Sequence, residues 1–248
     1  MKSQLDALGL EFERVEGPDP SAMPAEVLDA HYSPELNRRM FIRRLQLGQI
    51  GCYMGHIAVW RKILADGPAF AIVLEDDVAL AENFAEALGF LAAHRGDWDF
   101  VRIQKEGKKK RAYSRREYPE GFSLVEFVRH SGCTYGYAVS SGAVRKMLGG
   151  LIPFGLPVDT HTHYYHRLGL DILTLDPPVV SASALAAKSD KDEISFANRV
   201  DDAHFHPFAR QKWSFCLYLE KLRYLCSRDG FCQFAGRLLG ALRSGKIR

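Results

Sequence analysis

The sequence predicts an α/β fold, with a mostly parallel sheet flanked by helices and a helical carboxy-terminal tail. Segments with the three- and four-residue apolar spacing of helices alternate along the chain with short runs of branched apolar residues. The chain has 248 residues, 47% of them hydrophobic and 25% charged, which suits a globular domain with a substantial core. We assign residues 1–205 to the α/β domain and residues 206–248 to the tail.

The clearest predicted strand covers residues 70–74 and ends in three consecutive acids, Glu75, Asp76 and Asp77. Its apolar part is short and follows a Gly-Pro pair, which favours a strand buried on both faces. Open α/β sheets place ligands at the carboxyl ends of their strands, and a hard divalent cation that bridges to phosphates would balance three adjacent carboxylates. A solvated acidic turn or an acid-rich helix start fits the same residues, and the triplet alone does not decide.

A helix is predicted immediately before this strand, and Gly67 with Pro68 ends it. Near its start, Gly51 and neighbouring glycines permit close backbone approach, while Gln49 and His56 supply hydrogen-bonding groups. A phosphate or a ribose would fit there. The apolar face of this helix consists of Ile50, Tyr53, Met54, Ile57, Trp60, Ile63 and Leu64.

The other periodic segments extend the alternation of helices and strands. Serine and glycine mark several boundaries, because serine caps helix starts and glycine ends helices. The predicted elements are a helix ending at Leu8, strands over 11–15, 99–103, 122–127, 135–139 and 170–175, a helix through Phe84, Leu88 and Leu91, and a helix from Ser140 to Leu148.

Several of these motifs, taken in order, resemble glycosyltransferase family 25, which contains bacterial lipooligosaccharide sugar transferases and collagen galactosyltransferases. The resemblance covers about residues 5 to 200, and the ordered set is more specific than any one of its short motifs. The motifs are GQIGCYMGH from Gly48 to His56, Trp60, LEDDV from Leu74 to Val78, GYAVS from Gly136 to Ser140, Pro157-Val158-Asp159 and Pro177-Pro178.

The resemblance implies a GT-A (Rossmann-like) domain that binds a nucleotide sugar, usually a UDP-hexose such as UDP-galactose, through Mn²⁺ or Mg²⁺. It makes Asp77 the direct metal ligand, with Asp76 as a second ligand. Asp76 or Glu75 would contact the ribose or order the site. The implied donor-binding residues are Gln49, Gly51, His56, Glu75 and Asp76.

Transfer with inversion needs a base for the acceptor hydroxyl, and we assign this role to Asp159. It lies where the family pattern has a late acidic residue, after a proline-containing loop. A second metal-site carboxylate is an equally open role. Asp159 also fits the N-cap of a helix that runs to Leu168, and a cap is compatible with a site.

The histidines form two groups, one of His161, His163 and His166 and one of His204 and His206. Zinc ligands are one interpretation and would suit a histidine-rich, metal-dependent hydrolase, but the chain has neither an HExxH helix nor paired CxxC motifs. Surface or acceptor-pocket histidines are favoured. By resemblance to GT-A enzymes, His204 or His206 could still complete the metal site.

The sequence departs from the family pattern in two places. Family members open with a strand that bears an Asn-Leu and arginine motif, whereas this sequence begins within the following helix. Residues 181–184 also lack the glutamine that often follows the Pro-Pro pair. These departures favour an alternative in which the protein is a non-catalytic carbohydrate-binding or assembly component.

Two basic stretches bear on partners and location. Residues 105–116 predict a solvated loop or a contact with phosphorylated glycolipid, and the aromatic, basic tail predicts either packing on the domain or binding to an anionic membrane from residue 212 onward. A net charge of +3 without a recognised module argues against nucleic acid. The five cysteines lack metal-ligand spacing, no signal peptide or spanning segment is evident, and a cytoplasmic, peripherally membrane-associated protein is expected.

Overall fold

The computed structural model describes residues 1–41, 43–105, 110–130, 132–183 and 209–243. Within these ranges, eight strands form a larger sheet of six and a smaller sheet of two. The strands are β1 Phe70–Leu74, β2 Val78–Leu80, β3 Phe100–Arg102, β4 Ala112–Glu117, β5 Ser123–Phe127, β6 Gly136–Ser140, β7 Ile172–Asp176 and β8 Val180–Ala182.

Helices flank the sheet, as the alternating pattern predicts. The longest helix of the α/β part, α4, ends at Gly67, whose left-handed φ of 73° suits glycine. The α-helices are α1 Lys2–Ala7, α2 Ala25–His31, α3 Pro34–Met40, α4 Leu47–Asp66, α5 Phe84–Ala93, α6 Ser141–Gly150, α7 Val158–His161, α8 Ala209–Asp229 and α9 Phe231–Arg243, with short 3-10 helices at Pro20–Ala22, Arg95–Asp97 and Thr162–Leu168.

The six-stranded sheet has the order β1-β6-β3-β7-β5-β4. Of the pairs described within it, only β3 with β7 is parallel, and the other pairs are antiparallel. The α/β class with flanking helices is therefore confirmed, but the expectation of a mostly parallel sheet is wrong. The reason is that β4 and β5 form a hairpin, and that β6 lies between β1 and β3 and runs antiparallel to both. The alternation of helices and strands along the sequence does not reveal these directions.

Among the described residues, the two largest apolar cores lie around this sheet. One contains α4, α6 and the buried Trp60 and Tyr137, and the other contains α5 with Phe84, Phe90 and Trp98. β1 lies at one edge of the described sheet, and only Val73 among its residues is buried. The prediction that this strand is buried on both faces is therefore wrong.

Residues 11–15 form no strand, although their alternating charged and apolar residues predict one. The segment lies along α4, where Glu13 pairs with Lys62 at 2.5 Å. A Cβ on Gly51 of α4 would lie only 3.1 Å from Pro20. The lack of a side chain at Gly51 therefore allows the amino-terminal segment to pack closely against α4. The contact with α4 replaces the pairing with a neighbouring strand that β structure needs.

The helical tail packs against the sheet, as one of the two interpretations of the tail predicts. Glu126 of β5 is buried and binds both Lys221, at 3.3 Å, and Arg228, at 2.8 Å, of α8. Arg167 makes two hydrogen bonds to Glu220, at 2.5 and 2.7 Å. The proposed boundary at residue 205 lies outside the described residues and stays a prediction.

Candidate functional site

The acidic triplet forms the turn between β1 and β2. The Glu75 N–H donates to Tyr135 O at 2.9 Å, and Asp77 O accepts from Ser183 N at 3.0 Å, so both ends of the turn are fixed by backbone bonds. Glu75 and Asp77 are half-buried and Asp76 is exposed. The turn thus presents carboxylates at the carboxyl end of a sheet strand, where α/β folds bind ligands.

His56 of α4 faces this turn, with its Nε2 atom 3.5 Å from Glu75 Oε1. Its other ring nitrogen, Nδ1, is hydrogen-bonded to the Tyr137 hydroxyl at 2.9 Å. The same hydroxyl oxygen accepts from Trp60 Nε1 at 2.9 Å. Burial raises the pKa of Tyr137 well above its usual value, so the phenol stays protonated. These contacts set the direction of the imidazole toward Glu75.

The loop from Gly132 to Tyr135 borders the turn and is held by two buried side chains. Gln104 donates to Cys133 O at 2.9 Å and accepts from Gly136 N at 3.0 Å. Arg102 donates to Gly132 O at 3.3 Å. Cys133 has a φ of 75°, an unusual conformation for a residue with a side chain, which these bonds help to maintain.

Asp159 also anchors this loop. Its Oδ2 atom accepts from Cys133 N at 3.1 Å, and its Oδ1 atom accepts from Thr160 N at 2.6 Å. A Cβ on Gly132 would lie 2.9 Å from Oδ2, so the carboxylate needs glycine there. Because α7 begins at Val158, Asp159 lies in its first turn, and the prediction that it is the N-cap is wrong.

The structure brings His56 and Glu75 together but places two other predicted donor residues farther away. Gln49 and Gly51 lie at the start of α4, and Gln49 is about 10 Å along the helix axis from His56. Gln49 Oε1 accepts from Gln46 N at 3.1 Å, so its carbonyl group is used at the helix start. A role for either residue in binding a donor stays a prediction.

The histidines near α7 have separate structural partners. His161 Nδ1 is 2.7 Å from the Tyr53 hydroxyl, His163 stacks on His130, and His166 Nε2 is 3.1 Å from Glu220. His161 and His166 are buried, so the surface interpretation is wrong for both, and the acceptor-pocket interpretation stays a prediction. These contacts give a histidine-rich hydrolase no support within the described residues.

His204 and His206, the predicted late metal ligands, lie outside the described residues. The basic stretch is also corrected in part, because residues 112–117 form β4 rather than a solvated loop. There Arg115 binds Asp176 at 2.7 Å and Arg116 binds Asp97 at 3.0 Å. These two arginines therefore have carboxylate partners within the protein.

Sequence reasoning assigned no site role to Gln104 or Arg102, and Tyr137 entered only through a family motif. All three are polar residues in or beside strands with apolar neighbours. A buried polar side chain must find hydrogen-bond partners, so this pattern was a usable signal. It could not identify the partners, which lie far away along the chain.

A cleft of about 440 Å³ lies elsewhere, beside the amino-terminal ends of β3 and β7, and is lined by residues that include Asp99, Asp171, Arg228 and Asp229. Arg228 binds Asp171 at 2.6 Å and Asp229 at 2.7 Å. The charged side chains that line this cleft thus pair with one another where α8 and α9 meet the sheet. The acidic turn, at the other ends of the strands, is the better candidate site.

The fold and the site together define an α/β protein with an acidic turn, a candidate ligand site, at the end of a sheet strand. Residues 1–162 match the family model described as Glycosyltransferase family 25 (LPS biosynthesis protein). The chain belongs to this family, which confirms the resemblance noted in its motifs. The matched region contains the acidic turn, His56 and Asp159.

The relatives that the chain matches include both proteins named as galactosyltransferases and proteins described as inactive. The chain is 34% identical to mouse (Mus musculus) procollagen galactosyltransferase 2 over 125 residues, which is 47% of this chain and 19% of that protein. It is 30% identical to the human (Homo sapiens) protein of the same name over 155 residues, 59% of this chain and 24% of that protein. A rat (Rattus norvegicus) protein described as a probable inactive glycosyltransferase 25 family member 3 is 30% identical over 110 residues, 43% of this chain and 19% of that protein.

Proposed function

We propose that this protein transfers a hexose, galactose from UDP-galactose, to a lipooligosaccharide, lipopolysaccharide or related glycan. The observation that carries the proposal is the acidic turn Glu75-Asp76-Asp77 at the end of β1, with His56 directed at Glu75, in a chain of glycosyltransferase family 25. The galactose donor is favoured because relatives at 34% and 30% identity are named galactosyltransferases. The glycolipid acceptor is favoured by the description of the family.

The acidic turn fits a hard divalent cation. Asp76 is exposed and Asp77 is half-buried, and both lie in a turn that is fixed by backbone bonds. An all-oxygen donor set suits Mn²⁺ or Mg²⁺, with Asp77 as the proposed direct ligand and Asp76 beside it. When bound, such an ion would neutralise charge on the diphosphate leaving group.

In the proposed reaction, Asp159 takes the proton from the acceptor hydroxyl. The acceptor oxygen then bonds to the anomeric carbon as the bond from that carbon to the diphosphate oxygen breaks, which inverts the anomeric centre and releases UDP. Glu75, whose Oε1 atom lies 3.5 Å from His56 Nε2, would hold the ribose. Hydrogen bonds from Cys133 N and Thr160 N give the Asp159 carboxylate a fixed orientation.

A second candidate is a non-catalytic role in glycan binding or assembly. It is favoured by the relatives described as inactive, which match this chain at 30% identity. The two candidates make different predictions for the same acidic turn. A catalytic protein requires donor binding that depends on Asp77, whereas a non-catalytic glycan-binding protein would bind the acceptor without a nucleotide sugar.

We further propose that the protein works in the cytoplasm at an anionic membrane surface, where a lipid-linked acceptor is concentrated. Three apolar side chains of α9 support this location, since Phe231, Leu239 and Leu242 are 74%, 54% and 56% exposed. Arg223, which is exposed on α8, would complement anionic headgroups. None of the helices within the described ranges combines the length and apolar character needed to cross a membrane.

Calorimetric titration of the purified chain with UDP, with and without Mn²⁺, tests the donor site directly. We expect binding that requires the metal, followed by transfer of galactose from UDP-galactose to a lipooligosaccharide acceptor and slower transfer from UDP-glucose. Folded protein that binds the acceptor glycan but neither UDP nor UDP-galactose would support the non-catalytic role instead. A preference for UDP-glucose would keep the transferase and correct the sugar.

A further inference from the structure

A group of three potential metal-binding side chains lies where α4 meets the start of the acidic turn. Cys52 and His56 lie one helical turn apart on α4, and Glu75 lies at the end of β1. One ligand atom from each, a thiol sulfur, an imidazole nitrogen and a carboxylate oxygen, lies within 4.8 Å of the other two. Neither the family description nor the proposed donor chemistry assigns Cys52 a role.

We infer that Cys52, His56 and Glu75 form a site for a borderline divalent cation such as Zn²⁺, separate from a hard-cation site at Asp76 and Asp77. Thiolate, imidazole and carboxylate are the three ligand types that zinc takes in proteins, and a water completes four-coordination. Mg²⁺ and Ca²⁺ prefer oxygen ligands alone and would be poorly held by this set. The site is therefore selective by the chemistry of its ligands.

The distances are close to those of a preformed site. Ligands placed 2.0–2.3 Å from a tetrahedral zinc ion are about 3.3–3.8 Å from one another. The His56 Nε2 to Glu75 Oε1 distance is 3.5 Å and already satisfies this condition. The largest separation, at most 4.8 Å, requires closure by about 1 Å. Cys52 is exposed, so rotation of its side chain can supply that movement.

The surroundings of His56 match those of histidine ligands in metal proteins. Such histidines usually hydrogen-bond through the nitrogen that does not bind the metal. His56 Nδ1 has this partner in the Tyr137 hydroxyl, at 2.9 Å, and Trp60 holds that hydroxyl in turn. With its proton on Nδ1, the ring directs the Nε2 lone pair toward Glu75. The ring is only 6% exposed, so its direction is restricted by packing.

Ion binding to this site needs one chemical change. The Cys52 thiol loses its proton to solvent and the thiolate sulfur bonds to the metal, while His56 binds as the neutral ring and Glu75 as the carboxylate. This inference does not depend on sugar transfer. It does predict competition, because a zinc ion held by Glu75 withdraws that carboxylate from any contact with a ribose.

Cobalt is a suitable probe, since Co²⁺ adopts zinc geometry and a cobalt–thiolate bond gives a near-ultraviolet charge-transfer band. The purified full chain, reduced and stripped of metal, is titrated with Co²⁺ and the absorption is recorded. We expect the charge-transfer band together with the strong visible bands of a tetrahedral ion. Added Zn²⁺ should abolish these bands, and added Mg²⁺ should leave them unchanged.

Two serine variants identify the cysteine whose sulfur binds the metal ion. Cys52→Ser should lose the charge-transfer band, whereas Cys216→Ser, at an exposed thiol on α8, should keep it. Glu75→Gln should retain the band with weaker cobalt affinity, and Tyr137→Phe should weaken the affinity roughly 10- to 100-fold. Thermal unfolding without metal confirms that each variant is folded. A full-strength band in folded Cys52→Ser, or no band in the unaltered chain, overturns the proposal.

Discussion

The Asp159 carboxylate accepts a hydrogen bond from the backbone N–H of Cys133, with Oδ2 3.1 Å from the nitrogen. Two residues later in the same loop, Tyr135 O accepts from the N–H of Glu75 at 2.9 Å. The loop thus connects the proposed base to the acidic turn through backbone bonds. A change at either carboxylate can affect the other through this loop as well as through direct chemistry.

Replacing Asp159 with Asn separates the role of base from the role of loop anchor. The amide cannot take a proton from an acceptor hydroxyl, and it keeps only one oxygen for the N–H groups of Cys133 and Thr160. If Asp159 is the base, kcat falls by 10²- to 10⁴-fold while UDP affinity stays nearly unchanged. Steady-state kinetics and calorimetry on the same protein measure both quantities. Weaker metal-dependent UDP binding would instead place Asp159 in the metal shell or in support of the loop.

Replacing Asp77 with Asn should abolish Mn²⁺-dependent UDP binding. The amide removes the charge that attracts the cation and leaves the turn's backbone bonds to Tyr135 and Ser183 in place. The melting temperature should therefore change little. Glu82→Gln, which removes an exposed carboxylate five residues further along, is the matched control and should bind UDP normally. Normal UDP affinity in Asp77→Asn would remove this residue from the site.

Tyr137→Phe should destabilise the protein and weaken donor binding together. The change removes the hydroxyl that serves both His56 Nδ1 and Trp60 Nε1, and each buried group left without a partner costs about 1–3 kcal/mol. Urea unfolding gives the change in the free energy of unfolding, and calorimetry gives the affinity for UDP.

Tyr165→Phe is the matched control for this loss. Its hydroxyl is also fully buried but has no hydrogen-bond partner among the described residues. Removing that hydroxyl should be neutral or slightly stabilising, because an unsatisfied buried polar atom disappears. Equal effects of the two substitutions would show that the Tyr137 network adds nothing beyond packing.

Local sequence signals were sufficient to predict α4 and β1, the two elements that carry His56 and lead into the acidic turn. The apolar spacing of α4, its termination at Gly67 and the branched residues of β1 are properties of neighbouring residues, and the structure confirms both elements. β4 could not be predicted in this way, because its residues Ala112–Glu117 are mainly polar and become a strand by pairing with β5. Edge strands of this kind obtain their structure from a partner rather than from their own pattern.

The contacts within the site were beyond sequence reasoning for the same physical reason. His56 and Tyr137 are separated by 81 positions, and Asp159 and Cys133 by 26. Residue types showed that these side chains could form hydrogen bonds, but only the packing of helices and loops on the sheet brings the partners together. Cys52 likewise lacks a cysteine neighbour at metal-binding spacing, and its proximity to Glu75 depends on how α4 packs on β1.

The free energy of unfolding should fall as the pH is lowered from 6.5 toward 4. Burial, with a smaller contribution from Arg167, lowers the pKa of His161 from 6.5 to about 4. Between these values the unfolded chain binds a proton that the folded protein does not, so stability is present above pH 6.5 and decreases toward pH 4. The slope is at most about 1.4 kcal/mol per pH unit for one histidine. Urea unfolding at several pH values measures it, and an unchanged slope in folded His161→Asn would contradict this assignment.

Association with an anionic membrane should depend on the exposed apolar face of α9. Leu239 and Leu242 follow Phe231 by eight and eleven positions, which places all three on one side of the helix. Replacing all three with serine removes exposed apolar area without opening the core, so the protein should stay folded. We expect it to sediment less with phosphatidylglycerol vesicles than the unaltered chain, and added salt should reduce binding of both proteins.

The control for this loss is a second triple variant with serine at Phe12, Val27 and Leu47, which are 40%, 39% and 53% exposed and lie outside the tail. If α9 enters the membrane interface, this variant binds vesicles as the unaltered chain does, because its substitutions lie outside the tail. Equal losses in the two variants would mean that exposed apolar area in general, and not α9, attracts the protein to vesicles. Full vesicle binding by the α9 variant would show that this face packs against protein or remains in water.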